Sequence, residues 1–254
     1  MTKNPILSIQ NLSAGYGKKI IIRDINLDIF PGEFCALLGL NGSGKTTLLK
    51  ALCGLIPVSN GSVLSNGEDI THINEKNRAG YISYIPQRYS KLIGVTVLEV
   101  VLMGLNPHLG LFESPSQADK EQARTILKKM QILHLIDEDF SKLSEGQKQK
   151  VILSRALVQN APIMLMDEPD SALDFTGKHQ ILAKIKSLIH ANEKAGFVTL
   201  HDPNLALAHC DRLILLHEGG IKSEINLTIA GDDEIEGKLS EIYEGITLYY
   251  YPPR

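Results

Sequence analysis

The stretch GLNGSGKTT, residues 39–47, has the residue types and spacing of a loop that holds phosphate groups. Its glycines let the backbone curl until several N–H groups point at phosphate oxygens. The ammonium group of Lys45 can then reach two adjacent phosphates, and the hydroxyl of Thr46 can ligate Mg²⁺. An apolar run precedes this stretch and leucines at helical spacing follow it, which is the strand, loop and helix that the chemistry requires.

Two adjacent carboxylates follow a second apolar run, in the stretch IMLMDEP at residues 163–169. The run is typical of a buried strand, and Asp167 and Glu168 come at its end. Beside a phosphate loop, Asp167 is suited to holding Mg²⁺ through water. Glu168 is suited to orienting or deprotonating a water molecule that attacks the terminal phosphate.

A third stretch, LSEGQKQK at residues 143–150, places Ser144 and Gly146 at the start of a predicted helix. The first turn of a helix carries free N–H groups and the positive end of the helix dipole, so it favours an anion. The residues alone do not say which anion, because this helix begins far along the chain from Lys45.

Composition limits the classes of protein that remain. The chain has 254 residues, of which 43% are hydrophobic and 22% charged, enough for one large globular domain or two small ones. The net charge of -3 does not favour nucleic acid or an acidic membrane surface as a partner. Three scattered cysteines are too few for a disulfide framework or a zinc site and fit a reducing cytosol.

The sequence also lacks the patterns of targeting and membrane segments. Its first ten residues have no apolar centre of a signal peptide. No run approaches the roughly 18–20 apolar residues that span a bilayer, so we expect any membrane role to depend on a partner.

The elements that must position these groups follow from short apolar runs and turn residues. We predict strands at residues 6–12, 20–30, 34–38, 61–64, 163–166, 197–200 and 212–216. Helices are predicted at residues 46–54 and 179–190, and two more begin near Ser116 and Ser144. The residues after Glu218 are only weakly patterned.

Taken together, these stretches resemble the nucleotide-binding subunit of ABC transporters, whose signature LSGGQ matches residues 143–147 at all positions but one. In that family two chains pair head to tail, and each signature helix caps the γ-phosphate held by the partner's phosphate loop. The resemblance implies ATP and Mg²⁺ as ligands. It also implies contacts to phosphate from Asn41, Gly42, Ser43, Gly44, Lys45, Thr46 and Thr47, and contacts across the dimer from Ser144, Gly146 and Gln147.

Four further residues match the family's marks in order. Tyr16, in GYGKK, resembles the aromatic residue that stacks on adenine, and Gln87, in YIPQRY, resembles the glutamine that touches Mg²⁺ and the attacking water. Asp174, in SALD, resembles the residue that crosses the dimer interface. His201, in VTLHD, resembles the histidine that contacts the γ-phosphate.

Three positions depart from the family pattern. Glu145 stands where the first glycine of the signature is usual, and we expect its carboxylate to point away from phosphate because Gly146 keeps the close-approach position. Asp170 replaces a common threonine, and Pro203 follows HD where a leucine is frequent. These departures leave the catalytic set intact and bear on the rate of the reaction.

The resemblance implies an α/β fold of the P-loop NTPase class, with a mostly parallel core sheet, an antiparallel β subdomain and an inserted helical subdomain. We predict one ABC ATPase domain over residues 1–254. Within it, the β subdomain covers mainly residues 1–30 and 60–85, and the helical subdomain about 88–160. The nucleotide-binding core covers residues 31–59 and 161–217, and a C-terminal segment covers 218–254.

Three stretches are similar to the ATPases of importers for iron–siderophore, haem, cobalamin and related metal chelates. They are TVLEVVLMGLNPHLGLF at residues 96–112, HDPNLALAHCDRLILLHEGGI at 201–221 and LSEIYEGI at 239–246. This similarity implies an energy-coupling subunit at the cytoplasmic face of the inner membrane. Its partners would be a second copy of itself, a polytopic permease at the helical subdomain and, indirectly, a substrate-binding protein.

Other interpretations remain at this point. The apolar residues of 96–112 also fit a helix face that packs inside the insertion. A soluble ABC ATPase that drives assembly, such as iron–sulfur cluster biogenesis, would share every catalytic motif. A nucleic-acid repair or translation ATPase is disfavoured, because those proteins carry long insertions or tandem domains and this chain has no basic stripe.

Overall fold

A computed structural model of the chain describes residues 4–89, 92–110, 112–245 and 247–248. The strands of this part are β1 Leu7–Tyr16, β2 Lys19–Ile29, β3 Phe34–Leu38, β4 Val58–Ser65, β5 Glu68–Asp69, β6 Ile82–Ile85, β7 Ile163–Asp167, β8 Ala195–Thr199, β9 Arg212–His217 and β10 Gly220–Asn226. The α-helices are α1 Lys45–Leu52, α2 Glu75–Arg78, α3 Val97–Leu102, α4 Gln117–Lys129, α5 Glu145–Gln159, α6 Phe175–Ala191, α7 Pro203–His209 and α8 Asp232–Ser240.

The main sheet has six strands in the order β10-β9-β3-β8-β7-β6. Only β10 runs antiparallel to its neighbour; the other pairs are parallel. Strands β3, β7 and β8 are buried at every residue, because helices or the second sheet cover both faces. This arrangement confirms the predicted α/β class with a mostly parallel core sheet.

The second sheet is antiparallel, in the order β2-β1-β4-β5. Successive side chains of the core strands alternate between two apolar clusters. Cys35 and Leu37 face the cluster that includes the antiparallel sheet and α1, whereas Phe34, Ala36 and Leu38 face the cluster built by α3–α8. The phosphate-loop helix α1 therefore lies on the side of the antiparallel sheet.

Among the described residues between β6 and β7 lie the α-helices α3, α4 and α5 and three short 3-10 turns. Each of α3, α4 and α5 begins with a capping box, in which Thr96, Ser116 and Ser144 bond the backbone of the first turn. The predicted helix starts near Ser116 and Ser144 are thus confirmed. Val97, Val100 and Val101 are fully buried, so this apolar face of residues 96–112 packs inside the protein.

Several elements were not predicted from the sequence, among them β5, β6, β10, α2, α7 and α8. The strand β6 pairs with β7, so the last four residues of the range predicted for the β subdomain, 60–85, lie in the parallel sheet. After Glu218, β10 and α8 bury Ile225, Ile235 and Leu239 against the helical side of the core. Within the described residues, no helix is long and apolar enough to cross a membrane.

Candidate functional site

The phosphate loop connects β3 to α1, as its sequence predicts. Gly44 is the N-cap of α1 at φ 110, a backbone conformation that glycine adopts readily. Throughout this fully described stretch, the first turn of α1 has neither a side-chain cap nor an acidic residue. Its N–H groups and the helix dipole are therefore available to an anion. Asn41 and Gly42 lie at the exposed tip of the loop, while Thr47 is buried in the first turn.

Lys45 is folded back over this loop. Its Nζ donates to the carbonyl oxygens of Gly39, at 2.7 Å, and Leu40, at 3.2 Å. Burial lowers the pKa of Lys45, and the nearby carboxylates of Glu168 and Asp167 partly oppose that shift. Burial costs Lys45 solvation free energy, and a bound anion would offset that cost.

Ser43 gives an independent sign that the loop fits a phosphate. Its Oγ is buried and has no hydrogen-bond partner among the described residues. A buried hydroxyl without a partner costs free energy, unless a ligand supplies the missing acceptor. Phosphate oxygens are such acceptors, so the orphaned hydroxyl fits a phosphate ligand of the loop.

Asp167 and Thr46 meet next to Lys45. Thr46 Oγ1 donates to Asp167 Oδ1 at 3.3 Å, and Thr199 Oγ1 donates to the same oxygen at 2.7 Å. Asp167 is 2% exposed, so its carboxylate is held by these hydroxyls away from bulk water. A hydroxyl and a carboxylate oxygen are the donors that Mg²⁺ prefers, and this pair fits such an ion.

Glu168 gathers two residues from distant parts of the chain. Its Oε1 lies 2.5 Å from Nε2 of His201, and its Oε2 accepts a hydrogen bond from Nε2 of Gln87. The Glu168 residue is 9% exposed, whereas the His201 side chain is 52% exposed. Gln87, Glu168 and His201, which were predicted from separate motifs, therefore converge at the carboxyl ends of β6, β7 and β8.

The backbone at Glu168 is unusual for a residue with a side chain. Its φ is 49°, in the left-handed region that costs a non-glycine residue about 1 kcal/mol or more. The Glu168 N–H donates to Thr199 Oγ1 at 2.9 Å, which holds the turn in place. The turn directs the carboxylate of Glu168 toward Gln87 and His201.

Thr199, which bonds both Asp167 and the backbone of Glu168, was not predicted from the sequence. Its signal was a single hydroxyl residue at the end of an otherwise apolar strand, since a buried polar group in such a place needs a partner. Tyr16 lies at the exposed end of β1 with half of its surface accessible. Its ring is free to stack on a flat ligand.

The signature helix lies apart from these groups. Ser144 caps α5: its Oγ accepts from the Gln147 N–H at 3.3 Å, and Gln147 Oε1 accepts from the Ser144 N–H at 2.9 Å. No hydrogen bond among the described residues joins Ser144, Gly146 or Gln147 to the phosphate loop. Instead, these three residues line a cleft with Leu173 and Asp174 of the SALD stretch.

Gly146 sits directly against the SALD stretch. A Cβ atom at this position would come within 3.2 Å of Leu173 Cδ2. The absence of a side chain therefore lets the first turn of α5 pack closely on this neighbour. Asp174 in turn caps α6, because its Oδ1 accepts from the Gly177 N–H at 2.7 Å.

The extra carboxylate of the signature, Glu145, is paired within its own chain. It lies 2.8 Å from Lys148 Nζ and accepts a hydrogen bond from Tyr89 OH at 3.4 Å. Burial, followed by the charge of Glu145, raises the pKa of Tyr89 to about 12. The carboxylate of Glu145 therefore points toward Tyr89, two residues after Gln87, and toward Lys148 in its own helix α5.

The other two departures also have local partners. Asp170 is 5% exposed and forms an ion pair with Lys178 at 3.3 Å. Pro203 opens α7 behind the N-cap Asp202, a position where the missing N–H of proline costs nothing. Neither residue disturbs the cluster around Glu168.

Comparison with known proteins gives the family and its relatives. Residues 22–171 match the family described as ABC transporter. A probable iron chelatin transport ATP-binding protein from Helicobacter pylori is 34% identical over 89% of each chain. A hemin import ATP-binding protein from Vibrio parahaemolyticus is 36% identical over 87% of this chain and 85% of the relative. A manganese transport system ATP-binding protein from Listeria monocytogenes is 35% identical over 84% and 87%.

Solved structures agree with this grouping. An inward-facing, putatively metal-chelate type ABC transporter superposes with a TM-score of 0.79 at 28% identity, over 94% of this chain and 89% of the other. A dimeric ATP-binding cassette in a post-hydrolysis state, bound to ADP and Pi, superposes with a TM-score of 0.75 at 28% identity, over 87% and 98%. These similarities extend beyond the phosphate loop to nearly the whole chain.

Proposed function

This chain belongs to the ABC transporter family as an ATP-hydrolysing member, and on that premise we propose that it is the energy-coupling subunit of an importer for an iron–siderophore or related metal chelate. The observation that carries the ATPase part is the convergence of Gln87, Glu168 and His201 beside the phosphate loop. The cargo class rests on the relatives named for iron chelatin and hemin and on the neighbouring metal-chelate type transporter.

ATP would bind along the phosphate loop. The uncapped N–H groups of α1 and the buried hydroxyl of Ser43 would receive phosphate oxygens. Lys45 would exchange its bonds to the carbonyls of Gly39 and Leu40 for bonds to the β- and γ-phosphates. The half-exposed ring of Tyr16 would stack on the adenine.

Mg²⁺ would be held by Thr46 and Asp167, with Gln87 close by. When bound, the ion neutralises charge on the β- and γ-phosphates. Thr199 keeps one carboxylate oxygen of Asp167 in place through its 2.7 Å hydrogen bond. Without that bond the carboxylate would be free to rotate away from Thr46.

Glu168 would act on the attacking water. Its carboxylate orients the water and accepts a proton while the water oxygen bonds to the γ-phosphorus and the bond to ADP breaks. Gln87 and His201 hold the two oxygens of this carboxylate. With ATP bound, the exposed imidazole of His201 would contact the γ-phosphate. Catalysis here is mainly positioning and charge neutralisation.

A second copy would complete the site. Ser144, Gly146 and Gln147 would cap the γ-phosphate held by the partner, and Asp174 would lie at the shared interface. This proposal is supported by the separation of the signature helix from its own phosphate loop and by the dimeric cassette bound to ADP and Pi. Two copies would bind two ATP molecules, close, and hydrolyse them.

A polytopic permease would contact the helical region, about residues 88–160, at the cytoplasmic face of the inner membrane. Because Val97, Val100 and Val101 are buried, they are not available to such a partner. Ile93 precedes α3 in the sequence and Phe112 follows it; they are 74% and 99% exposed, which makes them candidates for the contact. A substrate-binding protein would act on the far side of the permease.

The test is to tag this chain in its own cells, solubilise membranes in mild detergent and identify what co-purifies. We expect a polytopic membrane protein, and the Ile93→Ser/Phe112→Ser double variant should recover less of it than a variant altered at exposed Ile229. Recovery of a soluble scaffold without any membrane protein would favour an assembly ATPase instead.

The cargo is tested by growth of cells that lack this chain. We expect loss of growth on a ferric chelate as sole iron source, restored by the wild-type chain and not by Glu168→Gln. A growth defect that only manganese relieves would replace the metal-chelate proposal with the cargo of the Listeria relative.

A further inference from the structure

We propose that Tyr243, in the segment that follows α8, is a positioning residue that sets the geometry of the phosphate loop and thereby its affinity for ATP. This inference rests on the proposed phosphate-binding role of residues 39–47. It assigns a function to a C-terminal segment that the catalytic motifs leave unexplained.

The contact that carries the proposal is one hydrogen bond. The Gly39 N–H donates to Tyr243 Oη at 2.8 Å, across 204 positions of the sequence. Gly39 is the first residue after β3, and its carbonyl oxygen accepts from Lys45 Nζ at 2.7 Å. Gly39 therefore bonds both residues: its N–H bonds the phenol of Tyr243, and its carbonyl oxygen bonds the ammonium group of Lys45.

Gly39 lies close to the backbone of Leu216 and to the side chain of Ser43. It is buried, and a Cβ atom added to it would lie 2.3 Å from the carbonyl oxygen of Leu216 and 2.8 Å from Ser43 Oγ. The backbone therefore passes through a gap with no room for a side chain. The orphaned hydroxyl of Ser43 lies beside it. A displacement of Gly39 would reach both Lys45 and Ser43.

The phenol is placed by a firmly anchored segment. Ile235 and Leu239 of α8 are fully buried, and the Tyr243 N–H donates to the Leu239 carbonyl at 2.9 Å. Lys238 Nζ donates to the Glu224 carbonyl of β10 at 2.9 Å, which ties α8 to the sheet. Burial raises the pKa of Tyr243, so its hydroxyl stays neutral at physiological pH.

Removal of the phenol oxygen would leave the buried N–H of Gly39 without its acceptor. A buried donor without a partner costs free energy, and the backbone relieves that cost by shifting. Because Gly39 begins the phosphate loop and lies beside Ser43 Oγ, the shift would move loop groups that meet phosphate. The competing explanation is that Tyr243 only packs α8 onto the core and influences stability alone.

The experiment compares Tyr243→Phe with Leu127→Ala in the full chain. Leu127→Ala removes buried packing in α4 and leaves α8, Tyr243 and Gly39 unchanged, so it is the control for stability. For each protein one measures the dissociation constant for ATP with Mg²⁺, the thermal midpoint without nucleotide, and hydrogen exchange of the peptide that contains Gly39.

We expect Tyr243→Phe to bind ATP about five-fold more weakly, the effect of one lost hydrogen bond, and to exchange the Gly39 amide faster. Leu127→Ala should lower the thermal midpoint at least as much while leaving ATP affinity unchanged. Unchanged affinity in Tyr243→Phe would overturn the proposal. Equal losses of affinity in both variants would also overturn it, since affinity would then simply follow stability.

Lys45→Ala separates this inference from the function on which it rests. If Lys45→Ala still binds ATP like the wild type, the phosphate-loop assignment itself fails. If Lys45→Ala loses ATP and Tyr243→Phe does not, the loop assignment stands and only the role of Tyr243 is lost.

Discussion

The phosphate-loop side of the molecule and the signature helix differ in how much of their chemistry one chain assembles. Around Glu168, three motifs from β6, β7 and β8 meet within hydrogen-bond distance, and the carboxylate is 9% exposed. Around Ser144, the first turn of α5 is capped by its own side chains and opens on a cleft. The side chains of the first region meet within one chain, whereas the second region, under our proposal, offers a preformed surface to a phosphate that the partner chain holds.

This difference has a physical reason. A buried carboxylate needs fixed hydrogen bonds, so the residues around Glu168 must assemble as the chain folds. A helix N-terminus is stable when a capping box and water satisfy its N–H groups, so it forms without a bound anion. Variants of the region around Glu168 should therefore change the site of their own chain, whereas variants of the signature helix should change the site of the partner.

The largest effect is expected for Glu168→Gln, which removes the proposed base from the assembled region. ATP hydrolysis should fall about 100-fold or more, because the amide cannot accept the proton from water. ATP binding should persist and the closed dimer should accumulate, which size-exclusion chromatography with ATP would detect. Hydrolysis at the wild-type rate would show that Glu168 is not the base.

The next prediction tests whether the signature helix acts on the partner. Gly146→Asp places a negative charge where phosphate should approach, and Lys45→Ala removes the loop cation, so each variant alone should be nearly inactive. A head-to-tail heterodimer of the two has one site with both changes and one site with neither.

An equal mixture of the Gly146→Asp and Lys45→Ala chains should therefore recover about a quarter of the wild-type ATPase activity, if chains exchange freely and each site works independently. The control is a mixture of Lys45→Ala chains with Glu145→Gln chains. Because the Glu145→Gln chain is expected to be active by itself, this mixture shows how a Lys45→Ala chain affects an active partner. A mixture of the two inactive variants that stays inactive would mean that each signature serves its own chain.

The sequence predicts the local parts of both regions well. The phosphate loop, the paired carboxylates and the capped start of α5 are each coded within a few residues, so their geometry follows from strand, loop and helix rules. That Gln87 and His201 belong to the same site as Glu168 was predicted only from the family resemblance, because the residues next to them in the sequence do not indicate it.

The remaining contacts depend on distant residues. Thr199 bonds the Glu168 backbone across 31 positions, and Tyr243 bonds Gly39 across 204. The sequence around a single hydroxyl in a strand, or around a tyrosine in a weakly patterned tail, has no periodicity from which its partner could be predicted. The residues after Glu218 lacked a clear pattern because their apolar positions are few and are spread over β10 and α8.

A smaller effect is expected for Glu145→Gly, which restores the glycine usual at that position of the signature. The carboxylate already faces Lys148 and Tyr89, so its removal should change ATP hydrolysis by less than about three-fold. Loss of an exposed ion pair and of an acidic first-turn residue should cost roughly 1 kcal/mol or less of stability. Lys148→Gln, which breaks the same pair from the other side, is the control for that stability term.

A change of ten-fold or more in hydrolysis, in either direction, would contradict this expectation. It would mean that the carboxylate of Glu145 turns toward the phosphate once the dimer closes. The signature helix would then differ from the region around Glu168 in mobility as well as in completeness.

The smallest effect concerns the link between the two regions. The helix α6 starts at the SALD stretch, α7 starts just after His201, and the two are joined by a 2.8 Å contact between His179 Nδ1 and His209 Nε2. Burial, followed by electrostatic interactions with His179 and Lys186, lowers the pKa of His209 to about 4. The folded state therefore holds this imidazole neutral.

An unfolded histidine has a pKa of about 6.5, so between that pH and pH 4 the unfolded chain binds the extra proton more readily. The stability contributed by neutral His209 is complete above about pH 6.5 and is lost as the pH falls toward 4. His209→Gln should flatten this part of the thermal-midpoint curve by a few degrees, while His134→Gln, at an exposed position, should not. Identical curves for the wild type and His209→Gln would show that the histidine contact does not hold the two helices together in solution.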